Sequence, residues 1–105
     1  MSDVVHGTGN VFADLGMPDP GVRQTKTRLA MAINGIVQGR KLRQAQTASL
    51  LGIPQPKVSA LANYRLDGFS VERLMDFLTA LDQDVEIIIR PRSHDEGTVS
   101  VLTVL

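Results

Sequence analysis

The sequence predicts a mainly α fold of four or five short helices with a C-terminal β-strand or hairpin. Three observations carry that expectation. Apolar residues recur at three- and four-residue spacing from Leu29 to Leu81, the period of one side of a helix. Glycine and proline interrupt the pattern at Gly39, at Gly52 to Pro54 and at Gly68, so the helices between them are short. After Leu81 the period falls to two, in Val85, Ile87 and Ile89 and again in Val99, Val101, Thr103 and Leu105, which is the alternation of strands. With 105 residues, 43% of them hydrophobic, the chain has apolar material for one core and not for two of ordinary size.

Residues 1–22 contain Gly7, Gly9, Gly16, Gly21, Pro18 and Pro20 and are expected to form an N-terminal arm. Within it Val11, Phe12 and Leu15 have the spacing of a helical turn able to pack on the core. The GTGN stretch is too short and isolated for a phosphate-binding loop. A first long helix follows from about Thr25 to Gln38, with Leu29, Ile33, Ile36 and Val37 on one side, Thr25 or Thr27 as its cap and Gly39 as its stop.

The stretch RQAQTASLLGIPQPKVSALAN, Arg43 to Asn63, places two short helices either side of a break at Gly52, Ile53 and Pro54. Thr47, Ala48 and Leu51 share the inner face of the first helix, and Val58 and Leu61 that of the second. Ala48 is small where the second helix must cross closely, and Gly52 can take the positive φ of a sharp helix exit. The polar side of the second helix carries Gln55, Lys57, Ser59 and Asn63. Amide, hydroxyl and cationic groups of this kind suit base edges and phosphates. The layout is that of a DNA-binding helix-turn-helix. In the turn NYRLDGFS, Tyr64 and Arg65 stand near the end of the second helix, within reach of a DNA backbone. Ser70 then caps a helix from Val71 to about Leu81, with Glu72 in its first turn. Leu74, Phe77, Leu78 and Leu81 form its apolar side, Phe69 staples its start, and Met75 fills space.

The two C-terminal strands are joined by the polar PRSHDEG, so an antiparallel hairpin is expected. Two strands alone are marginally stable, and these are apolar on both faces. They need another surface, which makes Val85, Ile87, Ile89, Val99 and Val101 candidates for a dimer or partner contact. The division is an arm over 1–22, a helix-turn-helix domain over 23–83 and a C-terminal β segment over 84–105.

Charge supports a polyanionic partner. The formal net charge is zero, yet from Arg23 to Arg73 nine basic residues face two acidic ones, a balance of +7 that leaves −7 for the remainder. A basic segment around such a helix pair favours nucleic acid through counterion release, and the acidic remainder suits a basic protein. There is no cysteine, and His6 and His94 are too few and too far apart for a zinc cluster, so no metal or other cofactor is expected. No apolar run approaches the ~18 residues of a membrane span, and the N-terminus lacks the basic and apolar regions of a signal peptide; a cytoplasmic location is expected.

Gln44, Ala48, Gly52, Ile53, Val58, Ser59 and Leu61 stand at the spacing of the Xre/Cro-like regulators. Together with NVFADLG, KTRLAMAI and GFSVERLMDFLTALDQDVEI, they make roughly residues 10 to 90 resemble small Xre-type proteins of the HigA-like antitoxin subgroup. Arg43, where that family often has threonine, and Pro54, where it often has a serine or threonine cap, depart from the pattern. The resemblance implies a lambda-repressor-like fold and an antitoxin that represses its own operon and neutralises a RelE/HigB-like toxin.

The expected base-reading residues are Gln55, Lys57, Ser59, Ala60 and Asn63, and the expected backbone contacts Gln44, Arg43, Lys41, Arg40, Arg65 and Tyr64. The expected partner is a double-stranded DNA operator bound by a homodimer, since one such motif reads only a few base pairs. Alternatives are a stand-alone or phage-type repressor without a toxin, and a protein-interaction module that has lost DNA binding. An enzyme is not expected. Ser59, His94 and Asp67 supply the residue types of a triad, but Ser59 is explained by the recognition helix and His94 by a loop.

Overall fold

The computed structural model describes residues 20–91 and 100–104. Among them are four helices: α1 (Pro20–Gly39), α2 (Gln44–Leu51), α3 (Gln55–Ala62) and α4 (Val71–Ala80). Val11, Phe12, Leu15, GTGN, His94 and Val99 lie outside the described residues, as does most of PRSHDEG.

α1 begins five residues earlier than its apolar period shows. Proline at a helix start loses no hydrogen bond, so the Pro20–Gly21 pair opens the helix instead of turning the chain. Thr25 and Thr27 are therefore interior residues and not caps. Their Oγ1 atoms donate to the carbonyls of Gly21 and Arg23 at 2.8 and 2.9 Å, a back-bond that threonine makes within helices. Leu29, Ala30, Ala32, Ile33 and Ile36 are buried. Asn34 is buried with them, and its Nδ2 donates to the Leu61 carbonyl at 3.2 Å. An unbonded amide there would be costly, so this bond ties α1 to the last turn of α3.

α4 packs chiefly along α1. Ser70 Oγ accepts the Arg73 N–H at 3.0 Å, the expected N-cap, and Val71, Leu74, Phe77, Leu78 and Leu81 close the core under the α2–α3 pair. The Phe69 ring meets that of Phe77 edge to face, 5.7 Å between centroids, an arrangement aromatic pairs favour.

All four helices stop on a residue in the left-handed region. After α2 it is Gly52, with φ +68°. A Cβ built there would touch nothing within 4 Å, so glycine answers the backbone conformation and not a shortage of space. The other three are Lys41, Tyr64 and Asp82, with φ of 55°, 59° and 65°. Each is followed by an N–H bonded back five residues: Leu42 to Val37 at 3.0 Å, Arg65 to Ala60 at 2.8 Å and Gln83 to Leu78 at 3.0 Å. This is the Schellman pattern; α1 ends at Gly39 as expected, and its left-handed residue is Lys41, two positions on.

The expected strands are absent: residues 84–91 and 100–104 contain no regular structure. Val85 and Val101 instead pack singly against the helical core, while Ile88, Ile89, Leu102 and Val104 remain largely exposed. Without a third strand, a two-stranded ladder gains too little to outweigh its ordering cost. The fifth helix is likewise not among the described residues.

Candidate nucleic-acid interface

The α2–α3 unit is held from within. Thr47, Leu51, Ile53, Val58 and Leu61 are buried and Ala48 and Ala60 half-buried. Thr47 satisfies its hydroxyl by donating to the Arg43 carbonyl at 3.0 Å.

Both helices of the pair begin without an anion. Arg43 is the N-cap of α2, and a guanidinium has no acceptor, so only the reciprocal half of a capping box exists, with Gln46 Oε1 accepting the Arg43 N–H at 2.9 Å. α3 starts from Pro54, which has no acceptor side chain, and neither helix has an acidic residue in its first turn. At α3 the Pro56 nitrogen carries no hydrogen and the Lys57 N–H bonds the Pro54 carbonyl at 2.9 Å, so what both starts offer a phosphate is chiefly the positive end of the helix dipole.

Burial of Val58 and Leu61 sets the rotation of α3. At about 100° per residue, Gln55, Pro56, Ser59, Ala60 and Asn63 occupy its outer half, Ser59 and Ala60 being half-buried and the others exposed. The Asn63 amide folds back, donating from Nδ2 to the Ser59 carbonyl at 2.8 Å. Lys57 is exposed but lies beside Leu61 on the flank facing α4, and its Nζ sits 5.2 Å from the centroid of the Phe69 ring.

Among the backbone candidates, Gln44 is exposed at the start of α2 and shares a cleft with Leu42 and Ala62. The side chains of Lys41, Arg43, Tyr64 and Arg65 are exposed and make no hydrogen bond or ion pair with the described residues. Arg40 differs. Its Nη2 donates to the Leu81 carbonyl at 2.7 Å and its Nη1 lies 3.6 Å from the Asp82 carboxylate. There it neutralises the C-terminus of α4, a use that competes with a phosphate. Of the triad types, Ser59 is on α3 and Asp67 in the exposed turn before α4, with His94 outside the described residues.

Residues 11–90 match the family described as a helix-turn-helix domain. A solved structure named provisionally as an XRE family transcriptional regulator is 58% identical to the chain, with 83% of this chain and 100% of the other covered and a TM-score of 0.78. The chain belongs to the XRE helix-turn-helix family. No curated protein matches it.

Two contacts that shape this XRE site escaped the sequence reading. Asn34 positions the end of α3, and its signal was an amide set between Ile33 and Ile36 on an apolar stripe. Phe69 receives the Lys57 ammonium across the α3–α4 turn, and nothing in the local spacing pointed to that contact. No helix of the described residues is long and apolar enough to cross a membrane.

Proposed function

We propose that this XRE-family protein is a sequence-specific DNA-binding transcriptional regulator that acts as a homodimer on a double-stranded operator. The observation that carries this reading is the outer half of α3, where Gln55, Ser59, Ala60 and Asn63 stand on a helix pair whose first turns contain no acidic residue. Gln55 at the tip of α3 can pair with adenine N6 and N7, while Gln44, Arg43, Lys41, Arg65 and Tyr64 border the pair as phosphate contacts. Gln55→Ala is expected to cost about 1–3 kcal/mol at particular bases and little elsewhere. Binding to a panel of operator variants tests this, and unchanged preferences at every base would refute it.

The dimer is proposed from the C-terminal segment. Ile88, Ile89, Leu102 and Val104 are 73, 65, 87 and 84% exposed on chain without regular structure, and apolar side chains left in water gain by burial against a second copy. Truncation after Arg90 is expected to weaken self-association. A sedimentation measurement in which the dimer persists undiminished counts against the second segment joining the subunits.

A finer reading is the antitoxin role, operon self-repression with neutralisation of a RelE/HigB-like toxin. It is supported by the resemblance to HigA-like proteins and by the −7 balance outside residues 23–73, which suits a basic partner. Co-expression with the product of an adjacent gene tests it: that product alone should arrest growth and bind this chain when both are present, and a harmless or non-binding neighbour refutes it.

A further inference from the structure

We propose that Phe69 is a positioning residue for DNA binding, its ring holding the Lys57 ammonium at the α3–α4 junction where it meets a phosphate instead of a base edge. The inference rests on the DNA-binding reading above and assigns one charge within it.

Lys57 does not lie on the outer half of α3 with Ser59 and Asn63. Its Nζ lies 5.2 Å from the Phe69 centroid. Phe69 is only 4% exposed, and the edge-to-face contact with Phe77 at 5.7 Å keeps its ring from turning away. Arg73 covers Phe77 in turn, its Cζ 4.9 Å from that centroid. The two rings thus form a fixed platform, with a cation at each end.

Gly68 completes the seat. Gly52 is the described glycine with positive φ, so the backbone at Gly68 does not demand glycine. A Cβ built on Gly68 would lie 3.4 Å from Lys57 Nζ, and a longer side chain would cover the ammonium or displace it. The missing side chain leaves the charge on the ring and open to solvent.

Cation–π attraction at an exposed site favours the ring-bound ammonium about two- to fivefold. A base edge must overcome that bias and a phosphate at the junction does not. Lys57 therefore contributes charge, with sequence reading left to the outer half of α3.

The test uses the full chain, a duplex library with a randomised core and a fixed duplex of mixed sequence. Lys57→Met is expected to flatten the slope of log affinity against log salt by about 1 and to leave the selected base preferences unchanged. Phe69→Leu is expected to weaken binding to every sequence about two- to fivefold, and to have no such effect when Lys57→Met is already present. A purely structural role for Phe69 would cost the same in both backgrounds, so additive effects overturn the proposal, as does a base preference altered by Lys57→Met. NMR of the unsubstituted chain is a second readout that does not depend on the folding of Phe69→Leu. Ring current should shift the Lys57 ε-methylene protons upfield in the free protein and in the complex, and loss of that shift on binding overturns the assignment. An unsubstituted chain that selects no sequence and binds the fixed duplex without salt dependence defeats the DNA reading itself. Binding with additive substitutions defeats the positioning role alone.

Discussion

Alanine at Phe77 is expected to remove about 3–5 kcal/mol of stability, the largest loss of any single change considered. The side chain is 1% exposed, packs edge to face on Phe69 and carries Arg73 over its other side. Truncation would leave a cavity between α4 and α1 and remove the support under Phe69. Small domains hold about 5–15 kcal/mol in all, so the variant would lose between about a fifth and the whole of that. Urea unfolding followed by circular dichroism should show a large drop in midpoint with a similar slope. Arg73→Ala is the control, since an exposed cation over a ring is worth about 0.5–1 kcal/mol. Equal midpoints for Phe77→Ala and the parent would contradict the central place given to this ring.

The second large effect is expected to have opposite signs in stability and in binding. Arg43→Asp gives α2 an N-cap that can accept a first-turn N–H and exchanges a cation for an anion at the positive end of the helix. The fold should gain about 1 kcal/mol. DNA binding should fall on the order of ten- to a hundredfold, because a charge-assisted phosphate contact is lost and a like charge replaces it. Thermal melting and a salt titration on the same preparation check both halves. A variant that is less stable, or that binds as tightly as the parent, would show that Arg43 stands at the cap for a reason other than phosphate.

What the sequence revealed, and what it did not, follows from how local each determinant is. α2, α3 and α4 were legible because their cues lie within one or two turns: Ser70 three residues before the N–H it caps, Gly52 at the helix exit, and Val58 with Leu61 on one face. The first turn of α1 was hidden because proline followed by glycine reads as a turn unless the proline opens a helix. The C-terminal alternation holds as a burial pattern only at Val85 and Ile87, which are half-buried between exposed neighbours, and fails at Ile89 and Thr103, which are exposed. Period two reports alternating burial, however, and does not supply the pairing partner that makes a strand. The candidate interface divides in the same way. Residue types suitable for DNA were readable along α3, but the direction taken by Lys57 depends on a ring twelve residues away in sequence, and Arg40 is directed by the far end of α4.

The helix stops at Lys41, Tyr64 and Asp82 have a consequence for where this fold can carry side chains. A residue with a Cβ pays about 1–2 kcal/mol in the left-handed region, whereas glycine at the same place would cost about 0.5–1 kcal/mol through the wider freedom of the unfolded chain. The difference is about 1.5 kcal/mol at most per stop, so these corners are inexpensive mounting points. At Asp82 the mounted group is a carboxylate facing Arg40. At Lys41 and Tyr64 it is an ammonium and a phenol turned to solvent at the corners that follow α1 and α3. The three corners can therefore accept new surface chemistry, one residue at a time, with little disturbance to the buried side of any helix.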